Sequence, residues 1–393
     1  MLANSNCAAL RAALTPNSSS GTLNGRTLLR GGRPPSLQGA NDDGSSTIGG
    51  GAMHQVPSST LTGPDHLELQ LTTACQYRCA YCGSPDGRPP HQADRHALED
   101  LIREIRPSKV SFTGGEPTLA WGLLMDLVRC AASVGCLCQL NTNCRALTRE
   151  RVRELEENGL TILHASLSTL DARLFARIRR ARDPEGLEHI RRVVSFACGR
   201  SRMRVIVEAM LTRDTLAGLQ DVYEFALDAG AESFELQAVI PTSDAMWAVV
   251  PEDYELVNAV DVLIALRSNE LPITLCCLHL PDCKGYERWS NQDGVERHRC
   301  GCGRETVYVA ADGTVMPCSF FHEELGNARD GLKEIWRSSP LLERIRSERP
   351  EACGACDSWD DCRNTCPALV YRAAARFDEL AHDAHDALRS RVA

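Results

Sequence analysis

Eight residues constrain this chain more than any other stretch: Cys75-Gln76-Tyr77-Arg78-Cys79-Ala80-Tyr81-Cys82. The three cysteines are spaced C-x3-C-x2-C. They follow an extended apolar run, His66 to Thr72, and precede Gly83, Ser84, Pro85, Asp86 and Gly87, residue types that keep a chain in a loop. The pattern predicts a short loop at the end of a strand, with three thiolates able to converge on one metal centre. A structural zinc site closes with four ligands, and an all-cysteine iron–sulfur cluster also takes four. Three thiolates in one loop leave a metal position for something that is not protein. The competing reading is a zinc knuckle whose fourth ligand lies elsewhere in the chain.

From His66 to about Ile240 the pattern alternates strand and helix. Strands are expected at 66–72, 108–113, 137–142, 161–167, 203–210 and 233–240. Amphipathic helices are expected near 94–105, 119–134, 148–158, 185–199 and 217–229, with a short helical piece at 171–180. Six strand–helix units in succession imply a parallel sheet curled with its helices outside. In α/β barrels chemistry sits at the C-terminal ends of the strands, and the cysteine loop follows the first strand. The second strand ends in Thr113-Gly114-Gly115-Glu116-Pro117. Two glycines let backbone approach a ligand closely, and a carboxylate there can take a ligand ammonium. Alone, Gly-Gly-Glu-Pro is an ordinary turn before a helix. One strand after C-x3-C-x2-C it is informative.

This arrangement resembles the radical S-adenosylmethionine (SAM) enzymes, including the aromatic Tyr81 before the last cysteine. In that family a 4Fe–4S cluster held by the three cysteines has one iron free to bind the amino and carboxylate groups of SAM. The cluster donates an electron, the sulfonium breaks, and a 5′-deoxyadenosyl radical abstracts hydrogen from the substrate. The resemblance implies a partial (β/α)6 TIM-like barrel. It assigns Cys75, Cys79 and Cys82 to the cluster and the Gly114-Gly115-Glu116-Pro117 motif to the SAM amino group. Strand three ends Asn141-Thr142-Asn143-Cys144, similar to the family's Thr-Asn-Gly with Cys144 in place of glycine; strand four ends Ser166-Leu167-Ser168, similar to Ser-Leu-Asp. By resemblance Asn143 and Ser166 face the SAM ribose or carboxylate, with Gln237 on strand six a weaker candidate. Plain strand-end capping is the alternative for these polar residues.

The C-terminal third has its own cysteine grammar. Cys302 is followed by an extended run, an Asp312-Gly313 turn and Cys318, a C-x10-G-x4-C spacing in which Asp-Gly signals a hairpin. After a helical segment near 329–349 come Cys353, Cys356, Cys362 and Cys366. Together these resemble the SPASM domain, a small cysteine-rich α+β domain that carries auxiliary iron–sulfur clusters in peptide maturases and sulfatase-maturing enzymes. A zinc ribbon is the plainer alternative for the last four cysteines. By resemblance one auxiliary cluster uses Cys302, Cys318, Cys366 and an upstream cysteine, Cys300 or Cys283. The other has Cys353, Cys356 and Cys362, and the family's last cysteine is missing after Cys366. Asp357, Asp360 or Asp361 could stand in, a substrate could bind the open iron, or that cluster could be absent.

Composition narrows the remaining classes. The 393-residue chain has 43% apolar and 24% charged residues, ordinary for a globular protein. Its net charge of -9 and lack of a basic stripe exclude nucleic acid as an expected partner. No window approaches a membrane span. Nineteen cysteines in so long a chain, clustered at metal-ligand spacing, point to cytoplasmic metal binding rather than a secreted disulfide scaffold. Cys130, Cys136, Cys138, Cys144 and Cys198 sit among apolar residues and read as core. Residues 1–62 are rich in Ser, Asn, Gly and Pro and have no hydrophobic period. They read as a disordered tail or a misplaced start before Met53, with an organelle transit peptide as the weaker alternative. The expected layout is then 1–62 extension, 63–245 radical SAM core, 246–299 bridging segment, 300–370 SPASM-like domain and 371–393 terminal helix.

The function this implies is a radical SAM oxidoreductase that modifies a peptide by crosslinking, side-chain oxidation or decarboxylation. Auxiliary clusters suit oxidative outcomes because they can accept the electron left on a substrate radical. An electron donor such as flavodoxin or ferredoxin is implied as partner. The alternative is a small-molecule dehydrogenase or epimerase acting on a sugar or aminocyclitol in a natural-product pathway. A non-enzymatic zinc or electron-transfer protein is the third reading. The sequence names no catalytic acid, base or hydrogen donor; Asp244, Tyr254 and Cys277 are no better than guesses. Replacing Cys75, Cys79 and Cys82 together with alanine should remove about four irons from anaerobically reconstituted protein and leave a remainder whose EPR signal SAM does not move. Zinc without sulfide in the wild type would end the radical reading.

Overall fold

The computed structural model describes residues 62–83, 91–278, 287–349 and 366–369. The expectations for the N-terminal extension, the terminal helix, Cys283, Cys353, Cys356, Cys362 and the three nearby aspartates lie outside the described residues.

The apolar alternation dictates the sheet. β1 (His66–Gln70), β2 (Lys109–Thr113), β3 (Leu137–Thr142), β4 (Ile162–Ser166), β5 (Arg204–Leu211) and β6 (Ser233–Ala238) pair in chain order, all parallel. The ladder continues through β7 (Ile273–Cys276) and β8 (Val295–Arg297), also parallel. The stretch between 246 and 299 thus adds strands to the same sheet. Helices α1 (Arg95–Ile105), α2 (Trp121–Ser133), α3 (Arg149–Glu157), α4 (Ala172–Arg179), α5 (Gly186–Arg200), α6 (Leu219–Ala229) and α7 (Asp253–Leu266) fill the crossovers as far as β7, and a short turn of helix, α8 (Glu287–Ser290), precedes β8. Their starts are written locally. Asp94, Thr148 and Asp171 each accept a hydrogen bond from the backbone N–H three residues on, which satisfies an orphan donor of the first turn.

Successive side chains of a strand point to opposite faces. Leu67, Leu69, Val110, Phe112, Leu140 and Leu163 are wholly buried on the face that carries the main core. The other face carries Glu68, Lys109, Ser111, Gln139, His164, Glu208 and Glu235. A parallel sheet covered with apolar layers on both sides reads as continuous hydrophobic runs. Here the alternation persists, so the inner face is a polar lumen.

The C-terminal third joins the same sheet. β9 (Thr306–Val309) runs parallel to β1 on the edge opposite β2, and β10 (Thr314–Met316) and β11 (Gly326–Asn327) follow antiparallel. Among the described residues the sheet has 11 strands. The Asp312-Gly313 turn closes the β9–β10 hairpin, with Gly313 at φ 89°, a left-handed value glycine adopts without strain. The single helical segment expected near 329–349 is two helices, α9 (Leu332–Ser338) and α10 (Pro340–Ser347). Ser339 caps the second, and Pro340, which has no N–H to donate, cannot continue the first.

Phe112, with no exposed surface, lies on β2 between β1 and β3. Phe112→Ala should lower unfolding stability by about 3–5 kcal/mol in anaerobic denaturant titration. A loss below about 1 kcal/mol would show that this face is not the tightly packed core.

Candidate functional site

The cysteine loop leaves the C-terminal end of β1 and is stitched at once to the end of β2. Leu71 N–H donates to Thr113 O at 2.9 Å, Gly115 N–H to Thr72 O at 2.7 Å and Glu116 N–H to Ala74 O at 2.8 Å. This close approach explains both glycines. A Cβ on Gly115 would collide with the Ala74 carbonyl, and one on Gly114 would lie 2.5 Å from Thr72 O.

Glu116 faces inward and is 1% exposed. Its Oε1 accepts from Thr118 N at 3.1 Å, Thr118 Oγ1 at 2.5 Å and Thr142 Oγ1 at 2.7 Å; Oε2 accepts from Asn143 N at 2.9 Å. Burial raises the proton affinity of this carboxyl, and those four donors pull it back. The side chain therefore ties the end of β2 to the end of β3, a tertiary role that its place in a turn motif does not reveal. Asn143, so placed, accepts from Gln76 Nε2 at 3.1 Å, and its Nδ2 approaches Cys75 Sγ at 3.9 Å. The next residue, Cys144, is wholly buried at φ 61°. The departure from Thr-Asn-Gly thus falls at a left-handed position, where a residue other than glycine is strained.

Beyond Cys75 the loop runs against the end of α4. Arg78 N–H donates to Arg179 O at 3.1 Å and Ala80 N–H to Ile178 O at 2.8 Å. Arg179 is 1% exposed. Its guanidinium lies 5.4 Å from the Tyr77 ring centre and 5.1 Å from that of Phe175, and donates to Ser166 O at 2.5 Å. Sequence reasoning missed Arg179, because nothing in the α4 pattern distinguishes it from the chain's many arginines. Tyr81 packs on Ile178, Met210, Val239 and Met246, an apolar patch separate from the main core. Cys75, Cys79 and Cys82 are unpaired thiols, the outer two exposed and Cys79 half-buried. Each of the other two faces Cys75. Burial pushes the Cys75 thiol up to about 11, so loading a metal there must displace its proton.

A second group of thiols gathers around the β9–β10 hairpin. Cys302 meets Cys300 and Cys318, and Cys366 faces Cys300, Cys318 and Cys277. Of the two upstream candidates, Cys300 is the one the described residues place here. Cys302 and Cys366 are buried. Among the described residues no three metal-binding side chains close on a single ion position. Donor chemistry, free thiols and a backbone cradle fit a polynuclear iron–sulfur group at each place, with a small chelating ligand at the three-cysteine loop.

Residues 69–226 match the radical SAM superfamily and residues 300–363 match the SPASM iron–sulfur cluster-binding domain, together more than half of the chain. The chain belongs to the radical SAM enzymes that carry a SPASM domain; its cofactors are SAM and 4Fe–4S clusters. It is 24% identical over 318 residues to the AdoMet-dependent heme synthase of Oleidesulfovibrio alaskensis, a match covering 75% of this chain and 81% of that protein. It is 26% identical over 345 residues to the PqqA peptide cyclase of Rhodopseudomonas palustris, covering 78% and 84%. The fold is similar to that of Streptococcus suis SuiB bound to S-adenosylmethionine, with a TM-score of 0.64 at 17% identity over 79% of this chain and 75% of that one. Among the described residues no helix is long and apolar enough to cross a membrane.

Gly115→Ala tests the cradle. The obstructing atoms are backbone and cannot rotate away, so the variant should lose about 1–3 kcal/mol of stability and its SAM-responsive EPR signal. Unchanged SAM response would mean that the loop does not need this approach.

Proposed function

We propose that this protein oxidatively modifies a peptide. The observation that carries the reading is the placement of two thiol groups on neighbouring strands of one sheet. Cys75, Cys79 and Cys82 follow β1, while Cys302 and Cys318 flank β9–β10, and β1 pairs directly with β9. The first group suits a cluster with an open iron; the second, completed by Cys300 and Cys366, suits a closed cluster able to accept an electron. With cofactors bound, the site supplies reductive SAM cleavage and removal of a hydrogen atom from substrate carbon.

In this reading the chain's own residues position the reactants. The backbone at Gly114 and Gly115 offers the amino end of SAM a close approach. Glu116 holds Asn143 beside Cys75, and Arg179 holds the strand end at Ser166. The apolar patch around Tyr81, packed beside Cys79, is the contact for the adenine in this reading. Similarity to a peptide cyclase supports a peptide substrate. The similarity to a heme synthase favours the second reading, a small-molecule substrate. We assign the reaction to the cytoplasm, where thiols stay reduced and an electron donor such as flavodoxin or ferredoxin is at hand.

Anaerobic co-expression with short peptides encoded beside the gene, followed by mass analysis, tests the substrate. A peptide lighter by two hydrogens, with 5′-deoxyadenosine formed by wild type and lost in Cys79→Ala, is the expected result. Unchanged peptides beside an oxidised sugar or aminocyclitol would move the assignment to the second reading. Undiminished 5′-deoxyadenosine from Cys79→Ala would overturn the core assignment itself.

A further inference from the structure

The inner face of β4, β5 and β6 carries a charged group that the reading above does not use. His164 on β4 is 6% exposed. Its Nε2 lies 3.4 Å from Glu235 Oε1 on β6, and its Nδ1 lies 3.5 Å from Glu208 Oε2 on β5. Nδ1 makes no hydrogen bond, so the ring is held between two carboxylates with its Glu208 side less than fully engaged. Glu208 is ladder partner to both Ser166 and Glu235. It thus stands beside the strand end assigned above to SAM, while His164 lies two residues before Ser166 on β4.

The surroundings are ionic on several sides. Lys109 on β2 faces His164 and Glu235; His298 also faces Glu235; Arg179 and Cys277 face Glu208. Taking charges out of water is expensive, and a well-packed apolar group is often as stable. Elsewhere the inner face carries neutral side chains, at Ser111, Gln139 and Thr274.

Proton affinities within the trio are ordered. Burial is the largest single influence on the Glu235 carboxylate and works against it, yet His164, with His298 and Lys109, together outweigh it and hold that carboxyl at about 2. Burial also works against the imidazolium, but Glu235 and then Glu208 outweigh it and raise His164 above its ordinary value. Glu208 is pushed up by burial, an effect that His164 only partly offsets. An ionised Glu235 therefore stabilises a charged His164, and Glu208 is the carboxylate of the two with the higher proton affinity, hence the stronger base.

We propose that Glu208 is the proton acceptor of the oxidation, a catalytic residue, with His164 and Glu235 as positioning residues behind it. The proposal rests on the oxidative reading above. Once a hydrogen atom has left the substrate carbon, the new bond closes when a neighbouring N–H, O–H, S–H or C–H gives its proton to the Glu208 carboxylate. The remaining electron passes to an oxidised iron–sulfur cluster of the SPASM domain, reducing it by one electron. The substrate thereby loses two hydrogens, one as an atom and one as a proton and an electron.

Two measurements on the anaerobic holoenzyme test this. The first is oxidised product per 5′-deoxyadenosine on the substrate found by co-expression. Glu208→Gln should lower that ratio about 100-fold or more, Glu208→Asp should restore part of it, and His164→Gln should shift its pH profile. An unchanged ratio in Glu208→Gln overturns the proposal. The second needs no substrate: thermal unfolding of wild type and His164→Gln across pH. A raised histidine contributes stability that is full below its unfolded value, about 6.5, and is lost as pH rises through the folded value. Wild type should lose stability through that window, whereas in His164→Gln, which leaves the buried Glu208 and Glu235 without their cation, the loss should begin at lower pH, above the unfolded carboxyl value of about 4.3. Identical pH dependence in both overturns the charged trio. Unmodified peptide with intact SAM cleavage counts against the substrate assignment, and the unfolding comparison still decides the trio.

Discussion

The pairing of β1 with β9 is the constraint on which the functional geometry depends. β1 is hydrogen-bonded in parallel on both sides, to β2 and to β9. One strand end thus carries the C-x3-C-x2-C loop, and the strand beside it brings the cysteines of the hairpin. Two groups of thiols more than 200 residues apart in sequence are thereby attached to paired strands, Cys75, Cys79 and Cys82 beyond the C-terminal end of β1 and Cys302 and Cys318 at the N-terminal end of β9, in a register that backbone hydrogen bonds fix. Fixed placement matters for electron transfer, and the direct β1–β9 pairing supplies it between those two strands.

The second organising feature is the polar inner face. Helices cover the other face with apolar side chains, which supplies the stability of the fold. That leaves the lumen free to hold His164, Glu208, Glu235, Lys109 and Glu68, groups that a closed apolar core could not accept without compensation. Their mutual pairing makes them tolerable, and their position below the strand ends makes them available to chemistry.

Much of this was legible in sequence. The limits of β3 and the starts of α1, α3 and α4 follow from alternation and from Asp94, Thr148 and Asp171 as caps, all local signals. The cysteine loop and the Asp312-Gly313 hairpin are local too. Less legible was Glu116. Its motif says nothing of the four donors, from three residues near two strand ends, that the carboxylate gathers in the fold. Arg179 was invisible because its importance lies in what stacks above it. The polar lumen was present as alternation in β1, β2 and β6, a pattern unusual for a parallel sheet, but its meaning required knowing which strands were parallel.

By itself the sequence determined the chemistry on offer: thiol spacing, strand–helix alternation and the glycines after β2 are short-range properties that need no partner. Tertiary structure decided which groups meet. Residues 273–276 and 295–297 became strands of the same sheet, because extended segments flanking an open edge satisfy their backbone groups there. Among the described residues Cys300 came to lie with Cys302, Cys318 and Cys366, and His164 fell between Glu208 and Glu235. These outcomes depend on register between distant strands, and register is set by the packing of whole faces, not by the residues at the site.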